Sequence, residues 1–152
     1  MPGTLYVTKR ALGTPWTLHV ALEYTSPVSV LRSISAYDSD DRVAVDGRLI
    51  SEKNWFKDAP ALMMTVSKVE RSPAYATNDA YWLQLLAADS AYVDGSLPYD
   101  LVPSIGKGGY NCASYAHGIL NATGGIATHI PASGNWTHMW GWGVPVPPAS
   151  FN

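Results

Sequence analysis

Nine residues near the N-terminus constrain the fold more than any other stretch. In Trp16-Thr17-Leu18-His19-Val20-Ala21-Leu22-Glu23-Tyr24 a bulky apolar side chain falls on every second position. A period of two belongs to a strand. It puts Trp16, Leu18, Val20, Leu22 and Tyr24 on one face and Thr17, His19, Ala21 and Glu23 on the other. Thr25-Ser26-Pro27 supplies a turn, and Val28 to Tyr37 is a second run rich in Val, Leu, Ile and Ser. The pair predicts an antiparallel hairpin. A short strand over Leu5–Thr8 precedes it. A second hairpin is expected from Val43 to Ile50 around Asp46-Gly47, and a further strand over Ala61–Val69, ended by Ser72-Pro73. Asp38, Asp40 and Asp41 sit in a polar turn without the glycine and distal Glu of a calcium loop, so no metal is expected there.

Two segments change to helical spacing. Asn78 or Asp79 is placed to cap a helix running to about Ala88, with Tyr81, Leu85 and Ala88 on one side and Trp82 and Leu86 nearby. In the second, Cys112, Tyr115, Ala116, Ile119 and Leu120 share one face, Asn111 suits the N-cap, and Gly124-Gly125 supplies the stop. Residues 90–109, rich in Gly and Pro, form a long connection between the two. The tail from Thr128 onward is irregular, and its Trp136, Trp140 and Trp142 are expected to pack over the domain. The fold class expected is α+β: an antiparallel sheet packed on a helix that carries the cysteine. The 152 residues suit one domain spanning 1–152.

Charge and cysteine usage narrow the function. A formal net charge of −2 with no basic cluster argues against nucleic acid as a partner. No apolar run reaches transmembrane length. Met1-Pro2-Gly3-Thr4-Leu5-Tyr6 lacks the basic and apolar blocks of a signal peptide. The single cysteine excludes an intramolecular disulfide. Its place at a helix start matters chemically. First-turn amides have no intrahelical acceptor, and the helix dipole favours an anion there, so Cys112 is positioned to ionise to its nucleophilic thiolate form. The alternative is inert packing, because free cysteine is often just a small buried hydrophobe.

A thiol nucleophile needs a base within hydrogen-bond reach. His19, on the non-apolar face of its strand, is the first candidate. His117 is expected on the surface of the cysteine helix, and His129 and His138 in the tail compete for the role. His129 and His138 are weak as metal ligands, because no Cys pair or nearby carboxylate completes a site.

The pairing of Leu18-His19-Val20-Ala21-Leu22-Glu23-Tyr24 with the later Tyr110-Asn111-Cys112-Ala113-Ser114-Tyr115 resembles the circularly permuted papain-like superfamily. That group includes permuted NlpC/P60-type hydrolases and lecithin:retinol acyltransferase-like proteins. Leu97-Pro98-Tyr99-Asp100-Leu101 ahead of the cysteine motif also looks like its bacterial toxin and effector members. The resemblance covers about a third of the chain. It implies a papain-like fold, Cys112 as nucleophile, His19 as base, and a third residue on the following strand that orients the imidazole. That strand offers Arg32, Ser33 and Ser35 but no His, Asn or carboxylate before Asp38, a departure from the family pattern; Ser33 is the choice. A cysteine amidase or peptidase is implied, acting without a cofactor on a peptide or cell-wall peptide. A toxin or effector role further implies an inhibitor or immunity protein as partner and a specialised secretion route. Acyl transfer of the lecithin:retinol type, and a non-catalytic binding module on the same scaffold, stay open as alternatives.

Overall fold

A computed structural model describes residues 3–11, 18–25, 31–38, 47–52, 64–100, 102–104, 106–130, 139 and 141–152. From Leu18 onward the alternating segment forms a strand, and its neighbours build an antiparallel sheet around it. The strands are β1 (Thr4–Ala11), β2 (Leu18–Thr25), β3 (Leu31–Asp38), β4 (Leu49–Glu52), β5 (Met64–Glu70) and β6 (Ile126–Ala127). Their order across the sheet is β4-β3-β2-β1-β5-β6, and the sheet is curled. Helix α1 (Asn78–Ala91) follows β5. Helix α2 (Cys112–Thr123) precedes β6, and the chain ends in a 3-10 turn, Pro148–Phe151. The class is α+β, as the sequence predicts. Among the described residues no helix is long and apolar enough to cross a membrane.

Local chemistry accounts for the helix ends. Asn111 caps α2 with its side-chain oxygen accepting from the Ser114 amide at 3.1 Å. Gly124 ends the helix in the left-handed region at φ 83°, returning its amide to Leu120. Helix α1 is capped one residue earlier than the sequence suggests. Thr77 is the N-cap and accepts from Ala80, while Asn78 and Asp79 turn back to the backbone of Gly3.

One core joins sheet and helices. Val20, Leu22 and Tyr24 of β2 line up with Leu5 and Val7 of β1 and Ile34 of β3, all buried. Trp82 of α1 stacks on Tyr24 with ring centroids 5.2 Å apart. Tyr81, Trp82, Leu85 and Ala88 are the buried apolar residues of α1, matching the predicted side. The other face of β2 is covered too. His19, Ala21 and Glu23 are buried as well, along with Thr8 on β1 and Ser35 on β3. Strand β2 therefore carries a second, small and polar buried layer behind the apolar one. Of the expected hairpin over Val43–Ile50, residues 43–46 lie outside the described residues; Leu49 and Ile50 open β4, which pairs with β3.

Helix α2 is buried from Cys112 through Leu120, on every face. Sheet, α1 and the C-terminal segment all pack on it. The last partner comes closest at Gly118, where an added Cβ would stand 2.5 Å from the Val146 carbonyl oxygen. The Gly118→Ala change sets a helix-propensity gain of about 1 kcal/mol against an overpacking cost of about 1–3 kcal/mol. Backbone cannot rotate aside as a side chain can, so the clash prevails. The variant is expected to unfold at lower urea concentration than the parent; an equal or higher midpoint would show that the C-terminal segment is not held against α2.

Candidate active site

The order of the hairpin explains how a histidine and a cysteine meet. Strands β2 and β3 pair in register from Thr25↔Leu31 to Leu22↔Ile34, and among the described residues the ladder goes no further. Beyond that point β3 pairs with β4. On β2 the polar backbone groups of Val20 turn to side chains. Its N–H donates to the Cys112 Sγ at 3.3 Å, and its C=O accepts from the Ser35 hydroxyl at 2.8 Å. Buried backbone groups seldom go unpaired, and here a thiol and a hydroxyl serve as partners.

The sulfur thus lies against the peptide that joins His19 to Val20. Standard bond lengths put it within about 6 Å of the His19 Cα. The imidazole Nε2 stands 2.9 Å from the Ser35 Oγ. His19, Ser35 and Cys112 are all buried, Ser35 completely. Two of the three residues expected at the site, Cys112 and His19, are therefore brought to the same point of β2. The third differs. Ser33 stands in register with Glu23, four residues along β2 from His19 and about 13 Å away by strand rise. The hydroxyl at the ring is that of Ser35, two residues on. Antiparallel pairing runs the strands in opposite directions, so a partner for a residue early in β2 has to come from late in β3.

Two groups at the sulfur favour negative charge there, and the burial of Cys112 opposes it. Cys112 and Ala113 precede the first intrahelical bond, which the Tyr115 amide donates to the Asn111 carbonyl at 3.0 Å. The positive end of the helix is thereby directed at Cys112, and the Val20 N–H adds a donor from the sheet. Tyr115, three residues on, is a buried anchor. Its hydroxyl donates to Asp89 of α1 at 2.5 Å, and burial, then the Asp89 charge, push its phenol far up.

The C-terminal segment closes over the same helix start. Gly141 sits at φ 97°, where an added Cβ would stand 2.1 Å from the Asn111 Oδ1, so only glycine fits. Its carbonyl accepts from the Ser114 hydroxyl at 3.0 Å, and the Val146 amide donates to the Ser114 carbonyl at 3.0 Å. His117 belongs to this contact and not to the surface. Its ring stacks on Trp142 at 4.5 Å, and its Nδ1 meets the Trp142 carbonyl. No sequence pattern pairs a mid-helix histidine with a tryptophan in an irregular tail. His129 is exposed beside β6, at the opposite end of the sheet order from β4, with its Nδ1 on the Thr128 hydroxyl. His138, Trp136 and Trp140 lie outside the described residues, as do Asp40 and Asp41. Among the described residues no group of three His, Cys, Asp or Glu side chains could hold a metal.

Comparison of the chain with family models, with curated proteins and with solved structures gives no match.

Burial lowers the His117 pKa from its ordinary value, against the upward pull of the bond to Trp142. The unfolded chain takes up a proton near pH 6.5 and the folded chain resists it, so stability is lost as pH falls below about 6.5. Glu23, raised from 4.5 chiefly by burial, works in the opposite direction at lower pH. Between about pH 7.5 and 5.5 the urea midpoint of the parent is expected to fall more than that of His117→Gln. Parallel curves would refute a buried, neutral His117.

Proposed function

We propose that the protein is a cysteine-dependent hydrolase of the permuted papain-like type, cleaving an amide with Cys112 as nucleophile and His19 as base. The observation that supports it most is the 3.3 Å contact from the Val20 N–H to the Cys112 sulfur. It holds the sulfur, at a helix start, beside the residue that carries the imidazole. Nothing in a merely packed cysteine calls for a backbone donor, a helix N-terminus and a histidine in one place.

The chemistry follows from those parts. The Cys112 thiol gives its proton to the imidazole, and the sulfur attacks the carbonyl carbon. The developing oxyanion is met by backbone N–H at the start of α2. The carbon–nitrogen bond breaks as the imidazolium returns the proton to the departing amine. An acyl-thioester remains on Cys112. Water, deprotonated by His19, adds to it and releases the acid and the free thiol. A peptide or cell-wall peptide as substrate, and a toxin or effector role with an inhibitor or immunity protein as partner, rest on the resemblance of the two motifs.

Alkylation with iodoacetamide across a pH series tests the reading. Cys112 is expected to label well below the free-thiol pKa of about 8.5, and His19→Ala to move the profile up toward it. A parent protein that labels only near pH 8.5 would favour a non-catalytic binding module. Incubation with purified cell-wall peptide fragments supplies the second measurement: amine release is expected from the parent and none from Cys112→Ser.

A further inference from the structure

We infer that Glu23 is held in the fold as a neutral carboxylic acid that donates its proton to Thr8, and that losing this proton weakens the fold through the polar layer of β2. The inference does not depend on the hydrolase reading.

Register places the pair. Glu23 stands opposite Tyr6 of β1 and Ala21 stands opposite Thr8, so Thr8 and Glu23 are diagonal neighbours on one face. Diagonal neighbours lie about 7–8 Å apart, within reach of a long side chain. Both are buried, Thr8 at 2% exposure and Glu23 at 7%. The Glu23 Oε1 is sealed from solvent and has no hydrogen-bond partner among the described residues.

Proton counting favours the acid. A threonine hydroxyl has one proton and two lone pairs. The Thr8 Oγ1 lies 3.4 Å from the Ala21 carbonyl oxygen, which only accepts, so the proton is directed there. Toward Glu23 the same oxygen offers lone pairs. An ionised carboxylate is acceptor-only; it would bring no proton to that contact and would bury its charge with Oε1 bare. A protonated carboxyl gives its O–H to Thr8 and leaves Oε1 as a neutral carbonyl oxygen, which costs far less to bury unpaired.

The groups that face Glu23 supply no compensating charge. Tyr6 on β1 and Ser33 on β3 stand directly opposite it. Lys68 of β5 is in register with Tyr6, two strand spacings or about 10 Å from Glu23, and exposed. His19 is four residues away along β2, about 13 Å by strand rise. Burial raises the Glu23 pKa from 4.5, and the Thr8 contact alone pulls the other way. A carboxyl raised in this manner contributes its full stability below pH 4.5 and loses it as pH rises through the folded value.

Three measurements test this. Triple-resonance NMR of the parent reads the Glu23 carboxyl carbon from about pH 4 to pH 8 and needs no substitution. Its midpoint is expected above 4.5; a midpoint at or below 4.5 overturns the inference. Thr8→Val separates the two directions of the bond. The Glu23 midpoint is expected to fall, because the acid loses its acceptor; a rise shows a carboxylate losing a donor and overturns it. Glutamine has the shape of the neutral acid and cannot ionise. As pH rises over the same range, the urea midpoint of the parent is expected to drop relative to that of Glu23→Gln. Every other titrating group is common to both proteins, so a gap that stays constant, or that moves in the parent's favour, refutes the neutral acid.

Discussion

At the early end of β2, a strand gives up its neighbour and two side chains take its place. The ladder to β3 stops at Leu22↔Ile34, and Val20 then bonds the Cys112 sulfur through its N–H and the Ser35 hydroxyl through its C=O. Had the ladder continued, the start of α2 would have no way into the sheet and His19 no sulfur beside it. Unpaired backbone groups in a buried place are costly, about 1–3 kcal/mol each, so the open rung needs substitutes of this kind. The sulfur and hydroxyl that fill the gap are also the groups from which the proposed chemistry is built.

Keeping a helix start in that gap takes support from several directions. Asn111 caps it, Tyr115 ties it to Asp89 of α1, and Ser114 binds the C-terminal segment through both its hydroxyl and its carbonyl. Gly118 and Gly141 are the two positions where that segment comes too close for a side chain. His117 and Trp142 seal the contact with stacked rings. The result is a helix buried throughout its first nine residues, with its N-terminal end set against β2. In the proposed chemistry a preorganised donor set of this sort costs no rearrangement as charge develops on the sulfur.

The polar layer behind the apolar core gives the site its dielectric setting. His19, Ser35, Thr8 and Glu23 are buried on the side of β2 that alternation alone would assign to solvent. One Glu23 oxygen has no hydrogen-bond partner among the described residues, and burial raises the carboxyl's pKa. In such surroundings hydrogen bonds are stronger than in water and proton positions are better defined.

What the sequence determined by itself is local. Period-two alternation marked β2, 3.6-residue spacing marked both helices, Asn111 and Gly124 marked the ends of α2, and the place of Cys112 in its first turn followed from those ends. Each of these signals involves residues a few positions apart, where backbone geometry alone fixes which side chains share a face. Register and closure are set by long-range packing instead. The choice of Ser35 over Ser33 depends on where β3 enters the sheet, and the turn residues do not specify that. The burial of His117 depends on a segment 25 positions away, and the bond from Val20 to Cys112 spans 92. Contacts at such separations are selected by the packing of the whole core, so no window of sequence contains them.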